Sequence, residues 1–151
     1  MAWIGAAKAP AGCVFCSVRD KHDDRKDFVL ERGKQAFLMV NLYPYASGHL
    51  MVVLNRHLDT VTAAETDELT DMMRLAQRAV AALRAEYRPP GFNIGLNQGS
   101  AAGAGIADHL HMHVVPRWNG DAGFMGVVGN TRILPETLET TWERLKGRLS
   151  G

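Results

Sequence analysis

The chain has 151 residues, a formal net charge of +1 at pH 7, and 46% hydrophobic and 22% charged residues, as expected of one domain that buries about two-thirds of its unfolded surface. So balanced a charge supplies no general field toward nucleic acid or a membrane surface, and no apolar run reaches the roughly 18 residues needed to cross a bilayer. The opening MAWIGAAKAPAGC has one lysine and no apolar stretch of signal-peptide length, so a cytoplasmic location is expected.

Cys13 and Cys16 form a Cys-x-x-Cys pair, which in a reducing compartment points to metal or redox chemistry rather than a structural disulfide. His22, inside RDKHDDRKD, reads as a solvated surface residue. Three strands follow: Phe28 to Glu31, Ala36 to Asn41 and His49 to Leu54, with turns through Gly33 and over Pro44 to Gly48. They form an antiparallel meander. Thr62-Ala-Ala-Glu65 fits a capping box, and Leu69, Met73, Ala76, Val80, Leu83 and Tyr87 recur at three- and four-residue steps, predicting one long amphipathic helix that ends before Pro89. A strand over Phe92 to Asn97, the glycine-rich segment QGSAAGAGIAD (98–108), a strand over HLHMHVVP (109–116) and a short helix around Glu136 to Leu145 complete the chain. The expected fold is α+β, with an antiparallel sheet of about five strands, one long helix and a short C-terminal helix. With no repeat, low-complexity stretch or linker, residues 1–151 read as a single domain.

Alternation along a strand sets His109, His111 and His113 on one face and Leu110, Met112 and Val114 on the core face. Three readings compete: ordinary half-exposed histidines, a metal site, or a nucleophile with helpers. The outer pair is about 13 Å apart in such a strand, whereas zinc ligands converge to about 2 Å, so two neighbours can share an ion but three cannot. Histidine attacks phosphorus through one ring nitrogen when the other keeps its proton on a fixed acceptor. The small residues of 98–108 would let backbone N–H groups approach the phosphate, although their spacing fits neither the Walker nor the dinucleotide pattern.

His109-Leu-His111-Met-His113-Val-Val resembles the His-φ-His-φ-His-φ-φ signature of the histidine triad superfamily of nucleotide hydrolases and nucleotidyltransferases, and NLYPYASGHLMVV (41–53) looks like its second region. HVVPRW and GFNIGLN are similar to the fragile-histidine-triad branch and, more closely, to bacterial diadenosine tetraphosphate phosphorylases. The likeness spans a core of about 13–121 and leaves 122–151 as a C-terminal extension. It implies cleavage of dinucleoside polyphosphates through a nucleotidyl-histidine on His111, with His113 and His109 assisting by hydrogen bonds and His49 supporting them. By the same resemblance Asn41 would bind the ribose hydroxyls and Gln98 would lie near the phosphates. Gly105 stands where hydrolases of the branch carry Gln, as in the phosphorylases, but those tend to have Asn at Gln98 and a small polar residue at Ile106. The acceptor, water or inorganic phosphate, stays open.

The resemblance further implies a structural zinc on Cys13, Cys16, His57 and His109, leaving His111 and His113 for phosphate, although a redox pair remains an alternative. It also implies a homodimer, a small-molecule nucleotide partner, and a divalent cation accompanying the polyphosphate. The competing readings are a nucleotide-sensing module without turnover, a hydrolase of other adenylyl compounds such as phosphoramidates, and a metal-dependent hydrolase using paired histidines.

Overall fold

Period-two apolar alternation calls for a sheet covered on one face, and the segments 29–54 are apolar at consecutive positions too, which calls for cover on both. A computed structural model describes residues 12–122 and 134–150. In chain order it contains α1 (Val14–Lys21), β1 (Val29–Arg32), β2 (Ala36–Val40), β3 (Leu50–Leu54), α2 (Thr66–Tyr87), β4 (Gly91–Leu96), β5 (His111–Arg117) and α3 (Leu138–Leu149). The five strands make one antiparallel sheet in the order β1-β2-β3-β5-β4, the expected α+β architecture. No helix among the described residues is long and apolar enough to cross a membrane.

The pleat divides the sheet into two faces. Leu38, Val40, Leu50, Val52, Leu54, Met112 and Val114 pack on one side with Met72, Leu75, Ala79 and Leu83 of α2 and Leu145 of α3. On the other, Phe37, Met39, Met51 and Val53 meet Phe15 and Val18 of α1. Met51 pairs with His113 and Val53 with His111, and directly opposed residues share a face. Both histidines therefore stand on the α1 side.

The structure amends several sequence expectations. The cap of α2 is Glu65, not Thr62: Glu65 and Glu68 form the reciprocal capping box, and Arg56 grips the Glu68 carboxylate at 2.9 and 2.7 Å. Thr62 lies in a separate single turn, Val61–Ala63, capped by Thr60. The buried stripe of α2 is Met72, Leu75, Ala76, Ala79, Ala82 and Leu83, while Met73 is 50% exposed. Alanines on the inner face allow a close approach to the sheet, and alanine is too weakly apolar to mark a stripe by itself. The C-terminal helix starts two residues later than expected and runs to Leu149, with the Thr137 side chain accepting from the Thr140 N–H. It lies against the β1 edge, where the Trp142 indole and Lys146 donate to the Val29 and Leu30 carbonyls. Strand β5 begins at His111 rather than His109, because the Leu110 N–H leaves the ladder to donate to the Leu58 carbonyl at 2.7 Å. Helix α1, with only Phe15 and Val18 buried, is too short to show a period.

Candidate active site

Asn41 and His49 flank the β2–β3 turn, joined by a 2.9 Å bond from the Asn41 N–H to the His49 carbonyl. Gly48 makes the turn possible, since its φ is +77° and a Cβ there would lie 2.8 Å from Leu83 Cδ2. The turn drives the His49 ring wholly into the interior. A backbone N–H can only donate, so the 2.9 Å bond from the Tyr45 N–H makes His49 Nδ1 the acceptor and puts the ring proton on Nε2. That nitrogen is 2.9 Å from His113 Nδ1, which must accept in turn. The His113 proton consequently sits on Nε2. Asn41 is oriented by the same turn: its Oδ1 accepts from the Tyr43 N–H at 2.9 Å.

The neighbouring ring has the opposite tautomer. His111 Nδ1 is 2.8 Å from the His109 carbonyl oxygen, which can only accept, so the proton is on Nδ1 and Nε2 carries a bare lone pair. Burial pushes the His111 imidazole below its ordinary value, and burial, joined by nearby His111, pushes His113 down to about 4. Both rings are neutral at pH 7, with centroids 5.0 Å apart. The pair presents a bare nitrogen beside an N–H donor, a combination suited to attacking an electrophile while hydrogen-bonding the charge that develops on it.

His109 turns the other way. Its Nε2 donates to the Leu54 carbonyl at 2.8 Å, and its Nδ1 faces the Cys13 and Cys16 sulfurs at 3.2 and 3.7 Å. His57 Nδ1 is 3.5 Å from Cys16 Sγ, and all four candidate ligand atoms fall within 4.8 Å of one another. Tetrahedral zinc with bonds of about 2.3 Å to sulfur and 2.0–2.1 Å to nitrogen has edges of about 3.3–3.8 Å. The donor set thus fits zinc, and the Leu54 carbonyl holds the second nitrogen of His109 as metal-bound imidazoles commonly require. Both ring nitrogens of His109 are committed, and His109 reaches His111 through its backbone carbonyl. Phe15, between the two cysteines and absent from the sequence reading, packs on both rings, with centroids 5.4 Å from His109 and 5.0 Å from His111.

The remaining sequence candidates lie in the β4–β5 connection. Gln98 is exposed and its Oε1 accepts from the Val61 N–H at 2.9 Å. Gly105 is exposed, while Ile106 is half-buried against the apolar cluster on the α1 side of the sheet. Tyr45 is a second residue that the sequence reading did not single out, although it lies inside the NLYPYASGH block: its ring centroid is 4.8 Å from that of His49 and 6.2 Å from that of His113.

Residues 23–120 match the HIT domain family. An AP-4-A phosphorylase from Mycobacterium tuberculosis is 42% identical over 118 residues, which is 78% of this chain and 60% of that protein; the chain spans about 60% of the length of this relative. A Zn-bound histidine triad family protein from Mycobacterium smegmatis superposes with a TM-score of 0.74 at 28% identity, covering 92% of this chain and 94% of that one. A diadenosine triphosphate hydrolase from Plasmodium falciparum, crystallised with Cyclomarin A, shares the fold at a TM-score of 0.63 and 21% identity, covering 83% of this chain and 76% of that one.

Proposed function

Because the chain belongs to the HIT domain family, we propose that it is an enzyme cleaving dinucleoside polyphosphates such as diadenosine tetraphosphate through a nucleotidyl-His111 intermediate. The observation that carries this is the tautomer pair: the His109 carbonyl holds the His111 proton on Nδ1, and His49 makes His113 an Nε2–H donor. In the first step His111 Nε2 forms a bond to the α-phosphorus, and the bond from that phosphorus to the bridging oxygen breaks. The leaving nucleotide departs as an anion that needs no proton, hydrogen-bonded by the His113 N–H. Attack leaves positive charge on the His111 ring, and the His109 carbonyl at 2.8 Å stabilises it. In the second step water or inorganic phosphate displaces His111 from phosphorus, releasing AMP or ADP and restoring the free imidazole.

Asn41 is assigned to the ribose hydroxyls, and Gln98, Gly105 and Ile106 to the phosphate side. Cys13, Cys16, His57 and His109 would hold a structural zinc whose contribution is to fasten α1 to the head of β5, away from the reacting phosphate. A divalent cation is expected to accompany the polyphosphate. The reading includes a cytoplasmic homodimer, with β4 as its contact because Asn93, Ile94 and Gly95 are exposed on that strand; sedimentation as a monomer would remove that part. The test of the whole is incubation with diadenosine tetraphosphate, with and without phosphate, followed by chromatography. ADP and ATP appearing only with phosphate make a phosphorylase, and AMP with ATP in its absence a hydrolase. Nucleotide binding without product, or full activity in His111→Asn, refutes the proposal.

A further inference from the structure

We propose that Phe15 is a positioning residue for His111, and that through its ring the cluster of Cys13, Cys16, His57 and His109 governs the nucleophile as well as the fold. The inference rests on the catalytic reading of His111 given above.

Among the described residues, one hydrogen bond and two ring contacts hold the His111 imidazole. Its Nδ1–H donates to the His109 carbonyl at 2.8 Å, and the Phe15 and His113 rings each lie 5.0 Å away. Phe15 packs on the side chains of both residues in that bond, 5.4 Å and edge-on at 76° to His109, and 5.0 Å at 54° to His111. These separations are those at which aromatic rings attract. Phe15 is 2%, His109 1% and His111 4% exposed, so the three rings shut water out from one another. An N–H closed off from water keeps the carbonyl as its partner.

The seat of Phe15 is fixed by its neighbours in sequence. Cys13 caps α1 and Cys16 lies in its first turn, and their sulfurs meet His109 Nδ1 at 3.2 and 3.7 Å. Helix α1 has eight residues and buries two, Phe15 and Val18, too little for such a helix to stand unaided. The cysteine cluster therefore sets the pose of α1, and the pose sets Phe15 on His111. When the cluster opens, the ring withdraws, water competes for Nδ1, and the proton is free to occupy Nε2. A protonated Nε2 cannot attack. A cluster that touches no phosphate thus controls the attacking nitrogen.

The test is Phe15→Leu, which keeps an apolar side chain and removes the ring. On diadenosine tetraphosphate kcat should fall about 10–100-fold, the order expected when a reacting group loses alignment, while KM stays within about twofold. The ¹⁵N shifts of the neutral His111 ring should move from the Nδ1–H pattern toward a tautomeric average. Val18→Ala loosens the other buried position of α1 and should leave both kcat and these shifts unchanged, because the cysteines still hold the helix. Cys16→Ser should reproduce the His111 shift, and adding it to Phe15→Leu should move that shift no further, since both act through one ring. An unmoved His111 pattern in Phe15→Leu, an equal effect of Val18→Ala, or a further shift in the double variant overturns the proposal. Should Phe15→Leu fail to fold, Cys16→Ser decides: a wild-type His111 pattern there overturns it. Absence of turnover in wild type refutes the catalytic reading instead, and the ¹⁵N shifts still judge the positioning one.

Discussion

Replacing His49 by Phe keeps a ring in the turn while removing both hydrogen-bonding nitrogens, so it isolates what the relay does. In the native protein His49 is fully buried, accepts from the Tyr45 N–H and donates to His113 Nδ1, both at 2.9 Å. The substitution orphans one donor and one acceptor. A buried polar group left unpaired costs about 1–3 kcal/mol. Because the Tyr45 side can partly rehydrate, the lower part of that range applies to its N–H. The sum, about 2–3 kcal/mol at roughly 2–4 °C per kcal/mol for a domain of this size, lowers Tm by about 4–12 °C. The larger effect is on activity. Without the His49 N–H opposite Nδ1, nothing holds the His113 proton on Nε2, and loss of one positioned donor lowers kcat by about 10²–10³-fold. His49→Gln should recover part of it, since one amide can accept from Tyr45 and donate to His113. The assays are kcat on diadenosine tetraphosphate and the ¹⁵N shifts of His113, which report its tautomer. A His49→Phe protein that melts normally, turns over at the wild-type rate, or keeps the His113 proton on Nε2 would refute the reasoning.

Acidification tests the site independently. Because the native His113 value is about 4 and the ordinary value 6.5, the unfolded chain takes up a proton below pH 6.5 that the native state refuses until about pH 4. Stability should therefore fall as pH falls through that window, seen as a declining urea midpoint; a flat midpoint from pH 7 to 4.5 would count against a neutral buried His113. Protein purified without chelator should contain close to one zinc per chain, and stripping it should lower Tm reversibly; a content below about 0.2 per chain would argue against a tight site. Gly48→Ala puts a side chain at φ +77° and 2.8 Å from Leu83 Cδ2, and the strain and overpacking should cost about 2–4 kcal/mol. An unchanged denaturation midpoint would show that the turn tolerates a side chain.

Much of this architecture is legible in one dimension. Alternation from Leu110 to Val114 and the apolar runs between Val29 and Leu54 specify strands and their faces, because a pleat repeats every two residues whatever lies around it. Turn residues at 44–48 and 97–108 separate those strands, and a long amphipathic segment before Pro89 can only be a helix. The relevant interactions are local, so the α+β class follows from the residues alone.

What the chain could not declare locally was decided by long-range packing. Alternation says that His111 and His113 share a face but not that β5 slots between β3 and β4, which is what brings His49 to His113 across 64 residues. It also assigns His109 to the same row, whereas the Leu110–Leu58 bond lifts His109 out of the strand and into the cysteine pair. The buried stripe of α2 turned on alanines whose burial is set by the approach of the sheet, and α1 exists because Phe15 and Val18 find cover there. Least legible of all were the tautomers. A proton's place on an imidazole is chosen by a carbonyl or an amide N–H from the surrounding backbone, so the difference between a bare nitrogen on His111 and an N–H on His113 appears only once the chain has folded around them.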